Sequence, residues 1–496
     1  MNRTTPAVAS TAAAGASASN YPYASSATAS NGGASTVVSL GGTADGSLPK
    51  ALVWENRTRS SAASMMARNF NEQPAAGRLK GLGGELLRQV AYDGEDFSQS
   101  VQQAPNGVYA ETYDMLVSPS QISQHGMGDN HISLSITTRS GVKVDLKLDA
   151  GDNSIAIEAH SDGKLNEAER KALGELSEAF QKSIDGLTED PPHIDLAGLT
   201  QFDKNALASV DLKGSIKINP KETQHLEFHA DATQRSVNFS GPAGSAKIDV
   251  DLSQSAAWGS KAQQAKALDN YMQQVDQAGM RGQGNATMIA MFKDAFTDMN
   301  SDYGTPAVAP LSTGLTDRDR AMTTGLADFK ASFAQTEVSS NPAKVTEKDS
   351  FAYDISQKTT LSGASRMERG ITQQQESHLK ARYHAPVSAD AQLALDLEPQ
   401  SQNYKYHMID DSASTTTTIA YDEGVLAKAT LEMQAHQSSR VLKYTLGKLQ
   451  EDHTTPSGKA STRDLLKELN EAEDPQALAA LNRRIFLISN PDAIAA

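Results

Sequence analysis

A chain of 496 residues is long enough for two or three folding units. Its 60 acidic and 45 basic residues give a net charge of −15, which disfavours nucleic acid and anionic lipid as partners and better suits a cationic or calcium-rich one. Cysteine is absent, which excludes disulfides, thiolate nucleophiles and cysteine-ligated zinc.

Residues 1–48 are Ala, Ser, Thr, Gly and Asn with scattered aliphatics, and the first acidic residue is Asp45. Such a segment cannot bury enough apolar area to offset ordering entropy, so a disordered arm is expected over 1–50. An acid-poor, Ser-rich arm without an apolar core also suits export by a route other than Sec, with residence in the cytoplasm as the alternative. No stretch approaches the roughly 20 apolar residues of a membrane span.

A helical segment is expected over 51–105. Met65, Met66 and Phe70 form one stripe, and Leu79, Leu82, Leu86, Leu87 and Val90 another that Gly81, Gly83 and Gly84 interrupt. Over 106–255 the period becomes two: Ile132, Leu134 and Ile136, then Val144, Leu146 and Leu148, then Ile155 and Ile157 alternate with polar residues. An inserted helix begins at an Asn166/Glu169 capping box and carries Leu173, Leu176, Phe180, Ile184 and Leu187 on one stripe. A second meander follows from 209 to 253.

Residues 256–340 form a second helical segment, with a methionine-rich stripe through Met288, Met291, Phe292 and Met299, a loop at 305–310 and a helix from 316 to 336. A second β-rich block covers 341–457, including alternating Leu393, Leu395 and Leu397 and alternating Tyr404, Tyr406 and Met408. The region 458–496 reads as two C-terminal helices, capped at Ser461 and at Asp474-Pro475. Strands cluster with strands, which predicts an α+β fold of antiparallel β-meanders with interspersed helices.

Three patterns suggest metal ligands. Asp298, Asn300 and Asp302 alternate as a calcium loop requires, although the glycine falls one place late and position twelve is Ala309. In the segment 158–169, Asp162 and Glu169 fit loop positions five and twelve, but a strand precedes it where a helix is required. On a predicted strand, His225, Glu227 and His229 share one face and could ligate a transition metal. A polar turn and a solvated strand face are the structural alternatives. The run Gly282-Gln283-Gly284-Asn285-Ala286-Thr287 imitates a dinucleotide fingerprint without its third glycine or its preceding strand.

The run Gly77–Gly83 with Asp96–Ser100, the helix from Leu165 to Leu187, and Ile194–Asp203 together resemble a poorly characterised family of cysteine-free bacterial proteins. Some of its members carry a lactate dehydrogenase label, so the resemblance implies that activity. A nicotinamide site needs a strand, a glycine turn and a helix in a parallel sheet, and the strand grouping here is not of that kind. The sequence therefore points first to a non-catalytic interaction or surface-associated protein with an unidentified protein partner and no cofactor. An enzyme with a dispersed acid/base site, such as a hydrolase, and a calcium-responsive binding protein are the alternatives.

Overall fold

The computed structural model of the chain describes residues 52–56, 60–104, 122–189, 191–304, 315–388, 390–472 and 474–494. The expectations for the arm 1–50 and for the loop 305–310 lie outside the described residues.

Both β-rich blocks belong to one sheet. Its strands are β1 (Leu52–Trp54), β2 (Phe97–Gln103), β3 (Asn130–Thr138), β4 (Lys143–Gly151), β5 (Ser154–Ser161), β6 (Leu207–Asn219), β7 (Glu222–Ala230), β8 (Gln234–Gly241), β9 (Gly244–Asp251), β10 (Asp328–Gln335), β11 (Ser350–Ser362), β12 (Gly370–Pro386), β13 (Tyr404–Asp422), β14 (Val425–Thr445) and β15 (Lys448–Asp464). The order is β1-β2-β5-β4-β3-β6 and then sequential to β15, and every pairing is antiparallel. Open sheets rarely exceed about ten strands; this one has fifteen among the described residues.

The expectation of a helix from 316 to 336 is corrected here. Only Asp317–Ala321 is helical, and Phe329, Ala331 and Phe333 alternate with Lys330 and Ser332 along β10. That strand pairs with β9 on one side and β11 on the other, and so joins the two blocks. Gly325, at φ 78°, turns the chain into it.

Nine helices are found among the described residues: α1 (Ser61–Asn69), α2 (Leu82–Asp93), α3 (Glu167–Thr188), α4 (Ala197–Thr200), α5 (Lys261–Gly282), α6 (Ala286–Met299), α7 (Asp317–Ala321), α8 (Leu466–Glu471) and α9 (Pro475–Asn482). None is long and apolar enough to cross a membrane. α3 starts at the predicted capping box, where Asn166 Oδ1 accepts from Glu169 N–H and the Glu169 carboxylate accepts from Asn166 N–H. Its stripe packs on α2, which forms despite its glycines. A Cβ at Gly83 would meet Ile184 Cδ1 at 2.2 Å, and one at Gly84 would meet the Ser177 carbonyl oxygen at 2.8 Å. These glycines set the helix–helix distance. In α6, Phe292 and Phe296 stack edgewise or tilted on Phe333 and Phe329 of β10 at 4.6 and 4.8 Å.

Side chains from all nine helices join one contiguous core on one face of the sheet, with Ile132, Leu134, Leu212, Val237, Ile248, Ile355 and Leu431. Part of this core is polar. Gln357 donates to the Leu326 and Ala327 carbonyls, Gln375 donates to the Ile485 carbonyl, and the buried Tyr271 hydroxyl shares its one proton between the Oε1 atoms of the two glutamines, at 3.0 and 3.2 Å. These amides satisfy the irregular backbone of 322–327 and 483–490 where it lies against the sheet.

Two C-terminal expectations are corrected. Ser461 lies inside β15 and caps no helix; the strand is exposed over 448–458 and only Lys459, Ser461 and Arg463 are partly covered, which leaves no hydrophobic periodicity to read. Leu393, Leu395 and Leu397 are in no strand; Leu395 packs against the cluster of Tyr404, Tyr406 and Tyr444. The Asp474-Pro475 start is as expected, with the Asp474 carboxylate accepting from Ala477 N–H.

Candidate functional site

Because side chains alternate along a strand, a sheet with one core face offers its other face to solvent. In register across the sheet, that face presents Glu158, Lys147, Ser133, Lys213, Glu227, Asn238, Lys247, Ser332, Asp354, His378, Ser412 and His436, one from each strand from β5 to β14 in sheet order. The row contains hydroxyls, amides, imidazoles and both signs of charge. It contains no aromatic hydrocarbon ring and no aliphatic side chain. A neighbouring row runs through Asp145, Ser135, Asp211, His229, Ser236, Asp249, Lys330, Ser356, Glu376 and Ser414 with the same character.

Two open troughs lie along these rows. One, of about 740 Å³, covers β3 to β8 and is lined by His131, Lys147, Glu158, Lys213, His225 and Glu227. The other, of about 600 Å³, covers β9 to β14 and is lined by Lys247, Lys330, Asp354, Glu376, His378 and Ser412. Several imidazoles are held by carboxylates: His131 Nδ1 lies 2.6 Å from Asp149 Oδ1, and His378 Nε2 lies 2.8 Å from Asp410 Oδ1.

Period two places His225, Glu227 and His229 on the open face of β7, as expected, yet their partners differ. His229 sits between Asp211 Oδ1 at 2.7 Å and Asp231 Oδ2 at 3.2 Å, and Glu227 lies 3.8 Å from Lys213 Nζ. Burial pulls the His229 pKa down, but hydrogen bonds to the two aspartates outweigh it and the net shift is upward.

The other two candidate ligand sets are engaged in the fold. Asp298 Oδ2 accepts from Leu196 N–H at 2.8 Å, and burial, only partly opposed by such bonds, pushes its carboxyl up to about 6. Asn300 donates to the Phe296 carbonyl and accepts from the Tyr303 hydroxyl. Asp302, at φ 36°, offers its carbonyl to the buried Arg235, which also donates to the carbonyls of Thr200, Met299 and Ser301. Asp162 accepts from Lys143 N–H, while Glu169 is spent on the α3 cap and on Ser140 N–H. Among the described residues no group of three or more His, Asp or Glu side chains is set to hold a metal ion.

One end of the open face is covered. Tyr404, Tyr406 and Met408 have the same parity on β13 as Asp410 and Ser412, and with Tyr444 they form a small second core on the otherwise wet face. The strap 338–349 lies over it, fixed at Val338 and Asp349 by a β-bridge. His384 of β12 pins this strap. Its ring Nδ1 lies 2.6 Å from Asp349 Oδ1, and Nε2 makes a 3.4 Å charge contact with Glu347 that lacks hydrogen-bond alignment. The Tyr404 hydroxyl donates to Glu347 at 2.7 Å, and Lys344 Nζ stands 3.2 Å from the centre of the Tyr444 ring. Burial lowers the His384 pKa, but its hydrogen bond to Asp349 and the negative charges of Asp349 and Glu347 outweigh that and raise it to about 8. The His384 side chain is 0% exposed, and it fastens the strap.

The sequence reading missed His384, Glu347 and Asp349. Their signal was the appearance of three tyrosines at strand positions that elsewhere alternate polar, which marks a covered patch on a wet face. Compared with known proteins, the chain matches no family model, no curated protein and no solved structure.

Proposed function

We propose that this is a non-catalytic interaction protein whose open sheet face binds a protein partner. The observation that carries the reading is the unbroken polar row from Glu158 to His436, on the face opposite the helices and the core. Mixed charge with hydroxyls and amides, arranged on a rigid ladder, fits the polar surface of another protein. The overall negative charge of −15 speaks against nucleic acid. The troughs are wide and open, and the His384 side chain, set between Asp349 and Glu347, is itself fully buried.

The test is a triple charge reversal, Lys213→Glu, Lys247→Glu and Lys330→Glu, compared with the unaltered full chain for capture of partners from extracts of the source cells. All three lysines are exposed on the open face, so circular dichroism should be unchanged and the melting temperature should fall only slightly, from the like charges set opposite Glu227 and Asp249. Loss of a specific partner with folding intact supports the reading. Equal capture by both proteins counts against it.

A further inference from the structure

We propose that β15 is a self-association edge, at which a second copy of this chain adds its own β15 antiparallel to extend the sheet. β15 ends the sheet, runs for 17 residues, and pairs along its inner side with β14. Among the described residues no strand pairs with its outer side, whereas the opposite edge ends in the three-residue β1. Residues 448–458 are exposed throughout, so this stretch buries no side chain within its own chain.

The sequence of β15 constrains how a second copy can pair. Pro456 stands opposite Ser438 within the ladder, and proline is tolerated there only if its nitrogen faces away from β14. The outward backbone groups therefore belong to 452, 454, 456, 458, 460 and 462. A two-fold axis through Pro456 would set proline against proline and forfeit both bonds of that pair. An axis through Thr455 sets Thr454 against the other copy's Pro456 and forfeits one bond in each of two such pairs, the same loss of two bonds per dimer, so side-chain pairing decides the register.

The Thr455 register also places Glu451 directly opposite Lys459 of the second copy, and Lys459 opposite its Glu451. Glu451 already holds Lys443 at 2.6 Å, so its carboxylate would lie between two cations. No partner for the Lys459 ammonium is found among the described residues. No like charges face each other in this register. Edge strands are commonly blunted by lysine and proline; here the lysine complements the same strand in reverse, and the outward-facing proline costs one hydrogen bond per copy.

Sedimentation velocity of the full chain over a wide concentration range tests this. A reversible monomer–dimer equilibrium is expected. Lys459→Glu turns both symmetry-related attractions into repulsions and should weaken the dimer about tenfold, as should Glu451→Lys. The double exchange, Glu451→Lys with Lys459→Glu, should restore it. Thr454→Pro removes only an outward donor and should also break the dimer, with circular dichroism unchanged. A monomer at every concentration, or a dimer indifferent to these changes, would overturn the proposal. Restoration by pairing Glu451→Lys with Arg463→Glu instead would overturn the Thr455 register.

Discussion

Asp349 Oδ1 touches His384 twice, accepting its backbone N–H at 2.9 Å and lying 2.6 Å from its ring Nδ1. This carboxylate fixes both the end of β12 and the strap that crosses it, so the charge state of His384 is coupled to the closure of one end of the open face.

Stability should consequently depend on His384 ionisation. Its pKa is raised from 6.5 to about 8 in the folded chain. The contribution is complete below about pH 6.5 and disappears as pH rises through about 8, and it amounts to at most about 2 kcal/mol. Asp349 and Glu347 act in the opposite sense: burial tends to raise both, bonds from His384 and its neighbours outweigh this, and the net shift is downward. Their contribution holds above the ordinary carboxylate pKa and fails in acid. The measurement is melting temperature from pH 6 to 9 for the natural chain and for His384→Gln. The difference between the two should shrink toward alkaline pH; a difference independent of pH would refute the coupling.

Gly84→Ala should destabilise by about 1–3 kcal/mol, because the new methyl would meet the Ser177 carbonyl oxygen at 2.8 Å and push α2 off α3. Gly174→Ala, on the same helix pair, places its Cβ 3.8 Å from Ala91 Cβ in ordinary contact and should be neutral or stabilising by up to about 1 kcal/mol. Urea denaturation of both variants checks the contrast.

Arg235→Met should destabilise by about 3–5 kcal/mol, since it strands four carbonyl groups that the guanidinium now satisfies. Burial lowers the Arg235 pKa to about 10, so the charge persists at neutral pH. Chemical denaturation measures the effect. The same clamp organises 299–302, so millimolar calcium or a chelator should leave the melting temperature of the natural chain unchanged. A calcium-dependent rise would show that Asp298, Asn300 and Asp302 can leave their present partners.

The sequence was most legible where one physical signal dominated. The α3 cap and stripe, the β3–β5 meander and the Asp474-Pro475 start all rest on local periodicity and capping chemistry. β10 was read as helix because its short alternation follows a genuine helical turn at Asp317–Ala321. The end of β15, residues 458–464, was read as helix because its covered positions, Lys459, Ser461 and Arg463, are polar and carry no hydrophobic alternation. That all strands form a single sheet depends on long-range pairings, such as Lys247 against Ser332, which no local pattern encodes. On the candidate site, the shared face of His225, Glu227 and His229 was legible, but their separate partners on β6 and beyond were not.

The central claim is that the open face receives a partner, and site-specific photo-cross-linking tests it most directly. The chain has no cysteine, so single substitutions Ser133→Cys, Ser332→Cys and Ser412→Cys can each carry a benzophenone on that face, with exposed Ala265→Cys on α5 as the helix-side control. The account predicts that the three open-face positions cross-link one common protein from source-cell extract and that Ala265→Cys does not. Cross-linking from the helix side alone would contradict it.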